Sequence, residues 1–340
     1  MARGPGDKWY SSSPPVVELT RSGGRLLTVG TAEAKIDGAL LTVKAGRRST
    51  RQKASGVPFT AVAADGKHAH TLAAGDAAGR VALFDVLRNR YSVWRVPLGG
   101  EAIAHLCFVS HGKELVVSAA DGSVVVLSVA DGSLTARLVE TRLNGGTLGG
   151  YAGGSSAGIP GGGGGAGGGD EGAVVPPRIV ASEEGDVVAT FSPLRVVLWN
   201  AADSWQQLQV LGNGKDGGSA GVVAVRLAGG LCLVLFDSDR ILAWEVADGF
   251  SLRFQLSAAD DDRTGAGLTC FAAAPSLVVA GGRNAMVYFW DSASEVLLRV
   301  VEMPSSASAV VQLEFLHKSA QVAVLGDDGR LLLWSSTTCE

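Results

Sequence analysis

Between Leu268 and Pro304 the chain reads LTCFAAAPSLVVAGGRNAMVYFWDSASEVLLRVVEMP, which is four short apolar runs separated by turns. The runs are rich in Val, Leu and aromatic residues, which favour strands, and the turns carry Gly, Pro and Asn, which end them. The segment therefore predicts a four-stranded antiparallel sheet. Because such a sheet cannot bury both of its faces alone, we expect similar units along the rest of the chain.

The ends of the predicted third strands recur at a regular spacing. They fall at Phe84, Leu127, Trp199, Trp244, Trp290 and Trp334. The first step is 43 residues and the last three steps are 45, 46 and 44 residues. This period is typical of propeller blades, which repeat every ~40–45 residues.

One step, from Leu127 to Trp199, is longer at 72 residues. It contains a glycine-rich insertion, residues 144–173, reading NGGTLGGYAGGSSAGIPGGGGGAGGGDEGA. Glycine at this density cannot offset its ordering entropy by side-chain burial, so we predict a disordered insertion within the propeller. Without it, the step returns to the period of the other units.

The period defines six clear units. They cover residues 57–97, 103–140, 174–211, 219–256, 266–302 and 309–338. Residues 1–56 contain strand-like runs without the signature, and we expect them to hold candidate closing strands and a basic linker. The predicted fold is all-β: a divergent WD40-type β-propeller over residues 57–340, with six clear blades, an incomplete seventh and a ring that need not close. The usual Gly-His pair of WD repeats is absent, so we expect Trp199, Trp244, Trp290 and Trp334 to hold neighbouring blades together by apolar packing.

Several ordered segments also carry a resemblance to a known family. They are Asp7-Lys8-Trp9, 81–91 (VALFDVLRNRY), 241–245 (ILAWE), 298–304 (LRVVEMP) and Leu313-Glu314-Phe315. In this order they resemble the N-terminal WD-repeat region of the TBC1 domain family. The resemblance implies a centrosome- and cilium-associated protein in which a propeller precedes a Rab-directed TBC domain and a coiled coil. It also implies that the catalytic TBC residues lie beyond Glu340 and that this chain is a fragment or a shortened product.

Charge and hydropathy narrow the classes of partner. The net charge is −4 and the isoelectric point about 5.8, which argues against a nucleic-acid-binding surface. The N-terminal MARGPGDKWYSSSPP lacks the apolar core of a signal peptide, and no apolar run approaches the ~20 residues of a membrane span. We therefore expect a cytoplasmic protein without membrane insertion. The resemblance adds a location at the centrosome, centriolar satellites or basal body.

The cysteine and histidine patterns do not favour a metal site. Cys107, Cys232, Cys270 and Cys339 form no C-x-x-C pair, so we expect buried, reduced thiols. His68 and His70 share one side of a predicted strand, but no carboxylate cluster accompanies them in sequence.

Three further patterns match catalytic or binding motifs only formally. Residues 154–158 fit G-x-S-x-G, but within a glycine tract rather than a strand-to-helix turn. Residues 212–217 fit G-x-G-x-x-G without a following helix, and Asp260-Asp261-Asp262 lacks the spacing of a calcium loop. The sequence thus predicts no catalytic residue, no metal ligand, no cofactor and no small-molecule substrate.

One basic cluster stands out in this slightly acidic chain. It consists of Lys44, Arg47, Arg48, Arg51 and Lys53. We interpret it either as an exposed linker or as a docking patch for an acidic protein partner such as a tubulin tail.

Together these features predict a non-catalytic scaffold for protein–protein interaction, resembling the propeller of a centrosomal or basal-body TBC protein. One alternative is a WD40 adaptor unrelated to TBC proteins, either a ubiquitin-ligase substrate receptor or a ciliary transport subunit. An alternative of another class is a propeller enzyme, which needs acidic or His residues converging on the central channel. The predicted first strands carry mostly Val, Ala and Leu instead.

Overall fold

In a computed structural model, the chain forms a succession of antiparallel sheets. Up to residue 53 the structure describes only the backbone of five strands. Beyond that it describes residues 57–65, 71–85, 90–140, 174–182, 184–212, 220–247, 249–258, 266–274, 276–303, 307–316 and 321–335. The predicted glycine-rich insertion, His68, His70 and Asp260–Asp262 lie outside the described residues.

The first three sheets lie before the glycine-rich insertion. Sheet 1 has five strands: β1 (Val16–Leu19), β2 (Arg25–Val29), β3 (Ala32–Asp37), β4 (Leu40–Ala45) and β5 (Arg48–Lys53). Sheet 2 has four: β6 (Phe59–Ala64), β7 (Thr71–Asp76), β8 (Arg80–Asp85) and β9 (Arg90–Arg95). Sheet 3 has four: β10 (Ile103–Val109), β11 (Glu114–Ala119), β12 (Val124–Ser128) and β13 (Leu134–Arg137), with a 3-10 turn at Ser110–Gly112.

Four more sheets follow the insertion. Sheet 4 contains β14 (Arg178–Ala181), β15 (Val187–Ser192), β16 (Arg195–Asn200) and β17 (Gln206–Gly212). Sheet 5 contains β18 (Val222–Ala228), β19 (Leu231–Phe236), β20 (Arg240–Glu245) and β21 (Ser251–Ser257). Sheet 6 contains β22 (Leu268–Ala274), β23 (Leu277–Gly282), β24 (Met286–Asp291) and β25 (Leu297–Glu302). Sheet 7 contains β26 (Val310–Leu316), β27 (Gln321–Gly326) and β28 (Leu331–Ser335).

Strands pair in chain order within every sheet, as the spacing of turns predicts. Five of the six predicted units are confirmed as four-stranded antiparallel sheets, and the sixth has three strands in the described part of the chain. The predicted composition of the N-terminal unit was wrong. Residues 16–53 form a sheet of five strands, where the sequence predicted an incomplete blade, and β1 pairs with β2 rather than with β28.

Successive sheets pack face to face with their first strands side by side. The first strands β6, β10, β14, β18, β22 and β26 contact one another in that order. One apolar cluster fills each interface from the sheet 2–sheet 3 pair to the sheet 6–sheet 7 pair. This arrangement is propeller-like, and it explains why the central strands lack a simple apolar–polar alternation.

The β24 strand shows how one strand serves two interfaces. Tyr288 and Trp290 pack toward sheet 5, whereas Val287 and Phe289 pack toward sheet 7. Complete burial of such a side chain contributes roughly 1.5–3 kcal/mol. The predicted packing role of the tryptophans is confirmed for Trp290, Trp199 and Trp244, which are buried, while Trp334 is half-buried.

Candidate functional site

The basic cluster lies in the hairpin of β4 and β5, so the linker interpretation does not hold for its described residues. Lys44 belongs to β4, and Arg48, Arg51 and Lys53 belong to β5, whereas Arg47 lies outside the described residues. In the register of the hairpin, Arg51 is opposite Thr42 and Lys53 is opposite Leu40. Positively charged residues are common on the edge strand of a sheet, where they hinder pairing with other chains. The docking role of this patch stays a prediction.

A second candidate surface lies where first strands begin and second strands end. In sheets 4, 5 and 6 these ends surround an open cavity of about 560 Å³, which we call the rim cavity. It is lined by residues 175–178 and 191–193 of sheet 4, residues 222–223 and Asp237 of sheet 5, and residues 267–269 and Arg283 of sheet 6, apart from Pro177. Its volume falls within the ~300–1,000 Å³ of pockets that hold ligands.

Hydrogen bonds between sheets fix the rim of this cavity. The Val222 N–H donates to the Pro193 carbonyl (2.8 Å), which joins sheet 5 to sheet 4. The Asp239 carboxylate accepts hydrogen bonds from the N–H groups of Gly267 (2.9 Å) and Leu268, which joins sheet 5 to sheet 6. Since these bonds tie three sheets together, the rim cavity is a preformed surface.

The floor of the rim cavity is apolar. Phe191, Val222 and Leu268 are buried beneath it, and Val175 stands at its edge with 49% of its surface exposed. The Thr269 hydroxyl donates to the carbonyls of Gly281 (3.1 Å) and Val310. Its hydrogen atom is therefore engaged within the fold.

Two arginines supply the positive charge of the rim cavity. Arg178 and Arg283 are exposed, and neither forms an ion pair with another described residue. Asp237, on the intervening sheet, is the acidic residue of the lining. Around the rim the charges therefore run positive, negative, positive over sheets 4, 5 and 6.

Other turns at the same end carry aspartates that are engaged within the fold. Asp76 accepts a hydrogen bond from Arg80 Nε (2.7 Å), and Asp121 accepts from Ser123 Oγ (2.9 Å). Asp327 accepts from the N–H (3.0 Å) and the hydroxyl of Ser308, and these bonds lower the pKa of its carboxyl. The rim cavity thus places two uncommitted guanidinium groups among turns whose charges are mostly acidic.

The first strands also carry an ion pair across three sheets. Arg226 on β18 donates from Nη2 to Glu314 Oε2 on β26 (3.3 Å) and from Nε to the Phe271 carbonyl on β22 (3.4 Å). Burial raises the pKa of the Glu314 carboxyl, and the Arg226 charge opposes that rise. The pair fastens sheets 5, 6 and 7 along their inner strands.

The described thiols are free, and only Cys232 is fully buried. Cys107 and Cys270 are half-buried, so the predicted burial holds in part, and Cys339 lies outside the described residues. Within the described part of the chain, no three His, Cys, Asp or Glu residues come close enough together to hold a metal ion. The described residues contain no helix that is long and apolar enough to cross a membrane.

Comparison with curated proteins finds relatives in one group. The chain is similar to TBC1 domain family member 31 of Oryzias latipes (27% identity over 278 residues) and to that of Xenopus laevis (27% over 276 residues). The Xenopus tropicalis protein is 26% identical over 276 residues. Each match covers 78% of this chain but 22% of the relative, so the chain spans only a part of these proteins. The matches support a relation to that family, while no family model matches the chain.

Among solved structures, the computationally designed Ika8 protein has a similar fold. The match has a TM-score of 0.58 and covers 95% of this chain and 96% of that chain, at 14% sequence identity. At this identity the likeness concerns the fold alone.

Sequence reasoning missed Arg178 and Arg283 as site residues. A signal for Arg283 was present: the turn between the second and third strands contains aspartate in sheets 2, 3, 5 and 7, but Gly281-Gly282-Arg283-Asn284 in sheet 6. Arg178 carried no such signal, because only the packing of sheets 4 to 6 brings it to the same cavity.

Proposed function

We propose that this chain is a non-catalytic scaffold that binds other proteins, and that the rim cavity is one of its docking surfaces. The observation that carries the proposal is the preformed cavity of about 560 Å³ with an apolar floor and uncommitted charges on its edge. Rigid folds commonly bind partners through loop ends of this kind. No nucleic acid, small-molecule substrate or cofactor is part of the proposal.

The sequence relatives support a more specific setting. We propose that the sheets form a divergent WD40-type propeller that serves a TBC-type protein at the centrosome, centriolar satellites or basal body. Any Rab-directed activity would then belong to a TBC domain outside this chain. The support is the similarity to TBC1 domain family member 31, which extends over 78% of this chain.

Proximity labelling in cells with the full chain tests the docking role. Val175→Trp fills the edge of the rim cavity with neutral bulk, and Leu252→Trp adds the same side chain at a similarly exposed position near the start of β21, at the opposite end of sheet 5. We expect Val175→Trp to reduce the labelling of specific neighbours at least several-fold and Leu252→Trp to preserve it. An unchanged set of neighbours for a folded Val175→Trp variant would show that the rim cavity is not a docking surface.

A further inference from the structure

We infer that the rim cavity recognises an extended peptide segment with acidic side chains next to apolar ones. This inference rests on the proposed docking function and adds the chemistry of the partner. It follows from the lining of the cavity and not from the basic patch of β4 and β5, which lies on another sheet.

The uncommitted arginines carry the first part of the argument. Guanidinium groups bind carboxylates through two parallel hydrogen bonds, and they bind best where part of the water is excluded. Arg178 and Arg283 line one cavity, yet neither has an ion-pair partner among the described residues. The acidic groups of the turns next to the cavity, at Asp239 in sheet 5 and Asp327 in sheet 7, are held by hydrogen bonds within the fold.

The backbone at Arg283 holds this residue in place. Its N–H donates to the carbonyls of Ala266 and Gly267, both at 3.1 Å. The stem of the Arg283 side chain lies over Gly267, where an added Cβ would come within 3.4 Å of the Arg283 Cγ and Cδ atoms. The stem of Arg283 thus rests on the segment that precedes β22 in the same sheet, and this contact lowers the side-chain entropy lost on binding.

The order of charges around the rim adds a constraint on the partner. Asp237 lies on sheet 5 between the sheets that carry Arg178 and Arg283. A complementary segment presents acidic groups on both sides of a hydrogen-bond donor, and a backbone N–H of an extended peptide serves as that donor. A uniformly basic or a uniformly apolar segment leaves the two arginines desolvated without partners, which opposes binding.

The apolar floor favours an extended segment over a free anion. Val222, Phe191 and Leu268 contribute apolar side chains to the same lining as Arg178 and Arg283. In an extended peptide, alternate side chains point in opposite directions, so apolar residues reach the floor while acidic neighbours reach the edge. This combination of contacts is the kind that distinguishes a peptide from a small carboxylate or phosphate.

A phage-displayed library of random nine-residue peptides tests the inference with the full chain as bait. Peptides are selected on the wild-type protein after removal of those that bind the Val175→Trp variant. We expect the remaining pool to be enriched in Asp and Glu about threefold or more over the input library. For Arg178→Glu and Arg283→Glu we expect this enrichment to vanish and Lys and Arg to replace it. Arg253→Glu makes the same charge change on exposed β21 and is expected to leave the pool unchanged.

The outcomes separate this inference from the proposed docking function. Peptides that bind the cavity specifically without enrichment in Asp and Glu would overturn the inference of an acidic partner and leave the docking function intact. The same holds if the acidic enrichment persists in both Arg178→Glu and Arg283→Glu. The absence of any pool specific for the cavity overturns the acidic partner, whereas the docking function depends on the labelling result for Val175→Trp. If a charge-reversal variant fails to fold, Arg178→Gln and Arg283→Gln replace it, and loss of acidic enrichment in these variants supports the inference.

Discussion

The guanidinium of Arg226 lies 3.3 Å from the carboxylate of Glu314, although the two residues belong to sheets 5 and 7 with sheet 6 between them. Arg226 also reaches the Phe271 carbonyl of the intervening sheet. A single side chain therefore links three successive sheets at their inner strands. The two residues are close in space but far apart in sequence. The ion pair therefore stabilises the packing of the three sheets against one another rather than any one sheet.

We expect Arg226→Met to lower the free energy of unfolding by about 1 kcal/mol at pH 7. The estimate lies between those for exposed and buried pairs, because both side chains are about one-third exposed. Chemical denaturation at equilibrium measures the change. The double variant Arg226→Met/Glu314→Gln should recover much of the loss, since it removes the carboxylate that has lost its partner. A double variant that is less stable than Arg226→Met would contradict a stabilising pair.

The same pair predicts a dependence on pH. Burial raises the pKa of Glu314 above its ordinary value of 4.5, so the folded state binds this proton more tightly than the unfolded state. The corresponding stabilisation is full below pH 4.5 and is lost as the pH rises through the folded-state pKa. Because Arg226→Met removes the charge that opposes the rise, we expect its deficit in stability to grow above pH 4.5 and to shrink below it. Urea denaturation between pH 4 and pH 8 tests this, and a deficit independent of pH would exclude an electrostatic origin.

A buried hydrogen bond in sheet 4 leads to a separate prediction. The Trp199 indole N–H donates to the Thr190 hydroxyl at 2.9 Å, and both side chains are buried. We expect Thr190→Val to destabilise the protein by about 1–3 kcal/mol, because the indole N–H is then buried without an acceptor. Thr190→Ser keeps the hydroxyl and should cost less. Thermal unfolding followed by tryptophan fluorescence compares the two, and equal losses would assign the effect to packing alone.

The sequence predicted the sheets well because their determinants are local. The repeat period located the third strands of sheets 4, 5 and 6, which contain Trp199, Trp244 and Trp290. The turn residues between apolar runs located the neighbouring strands. The β28 strand shows the limit of that reasoning. Its LLLW run looks like the other third strands, yet Leu331 and Leu333 are 58% and 56% exposed, because they lie on the face of sheet 7 opposite to the cluster that Leu332 and Trp334 share with sheet 6.

The first sheet and the candidate site were not predictable in the same way. Residues 16–53 lack a terminal Trp, so the period gave no anchor for their five strands. The rim cavity and the Arg226–Glu314 pair depend on which sheets become neighbours. Patterns in a single sequence do not show which residues far apart in the chain come into contact.

The thiols provide a probe of the same packing. Burial raises the pKa of Cys107 and Cys232 to about 12 and that of Cys270 to about 11. At pH 8 the thiolate fraction of each is therefore on the order of one in a thousand or less. In a Cys339→Ser background, we expect negligible reaction with an aromatic disulfide reagent in the native state and three equivalents after denaturation. Rapid native labelling would show that the sheets open locally.

Gly75 and Gly281 occupy equivalent positions on the second strands of sheets 2 and 6, and their close contacts with the next sheet lead to a prediction about stability. A Cβ added to Gly75 would lie 2.4 Å from Ile103 Cγ2, and one added to Gly281 would lie 2.4 Å from Val310 Cγ1. In each case the first strand of the next sheet packs directly on the glycine of a second strand. We expect Gly281→Ala to destabilise the protein by about 1–3 kcal/mol, because the added methyl group forces the two sheets apart.

The partner residue supplies the control for this variant. Val310→Ala alone leaves a cavity, whereas in Gly281→Ala it makes room for the added methyl group. The double variant should therefore be more stable than the sum of the two single losses predicts, by about 1 kcal/mol. Chemical denaturation of the four proteins in this cycle measures the coupling. Strict additivity would mean that the contact between Gly281 and Val310 does not set the spacing of sheets 6 and 7.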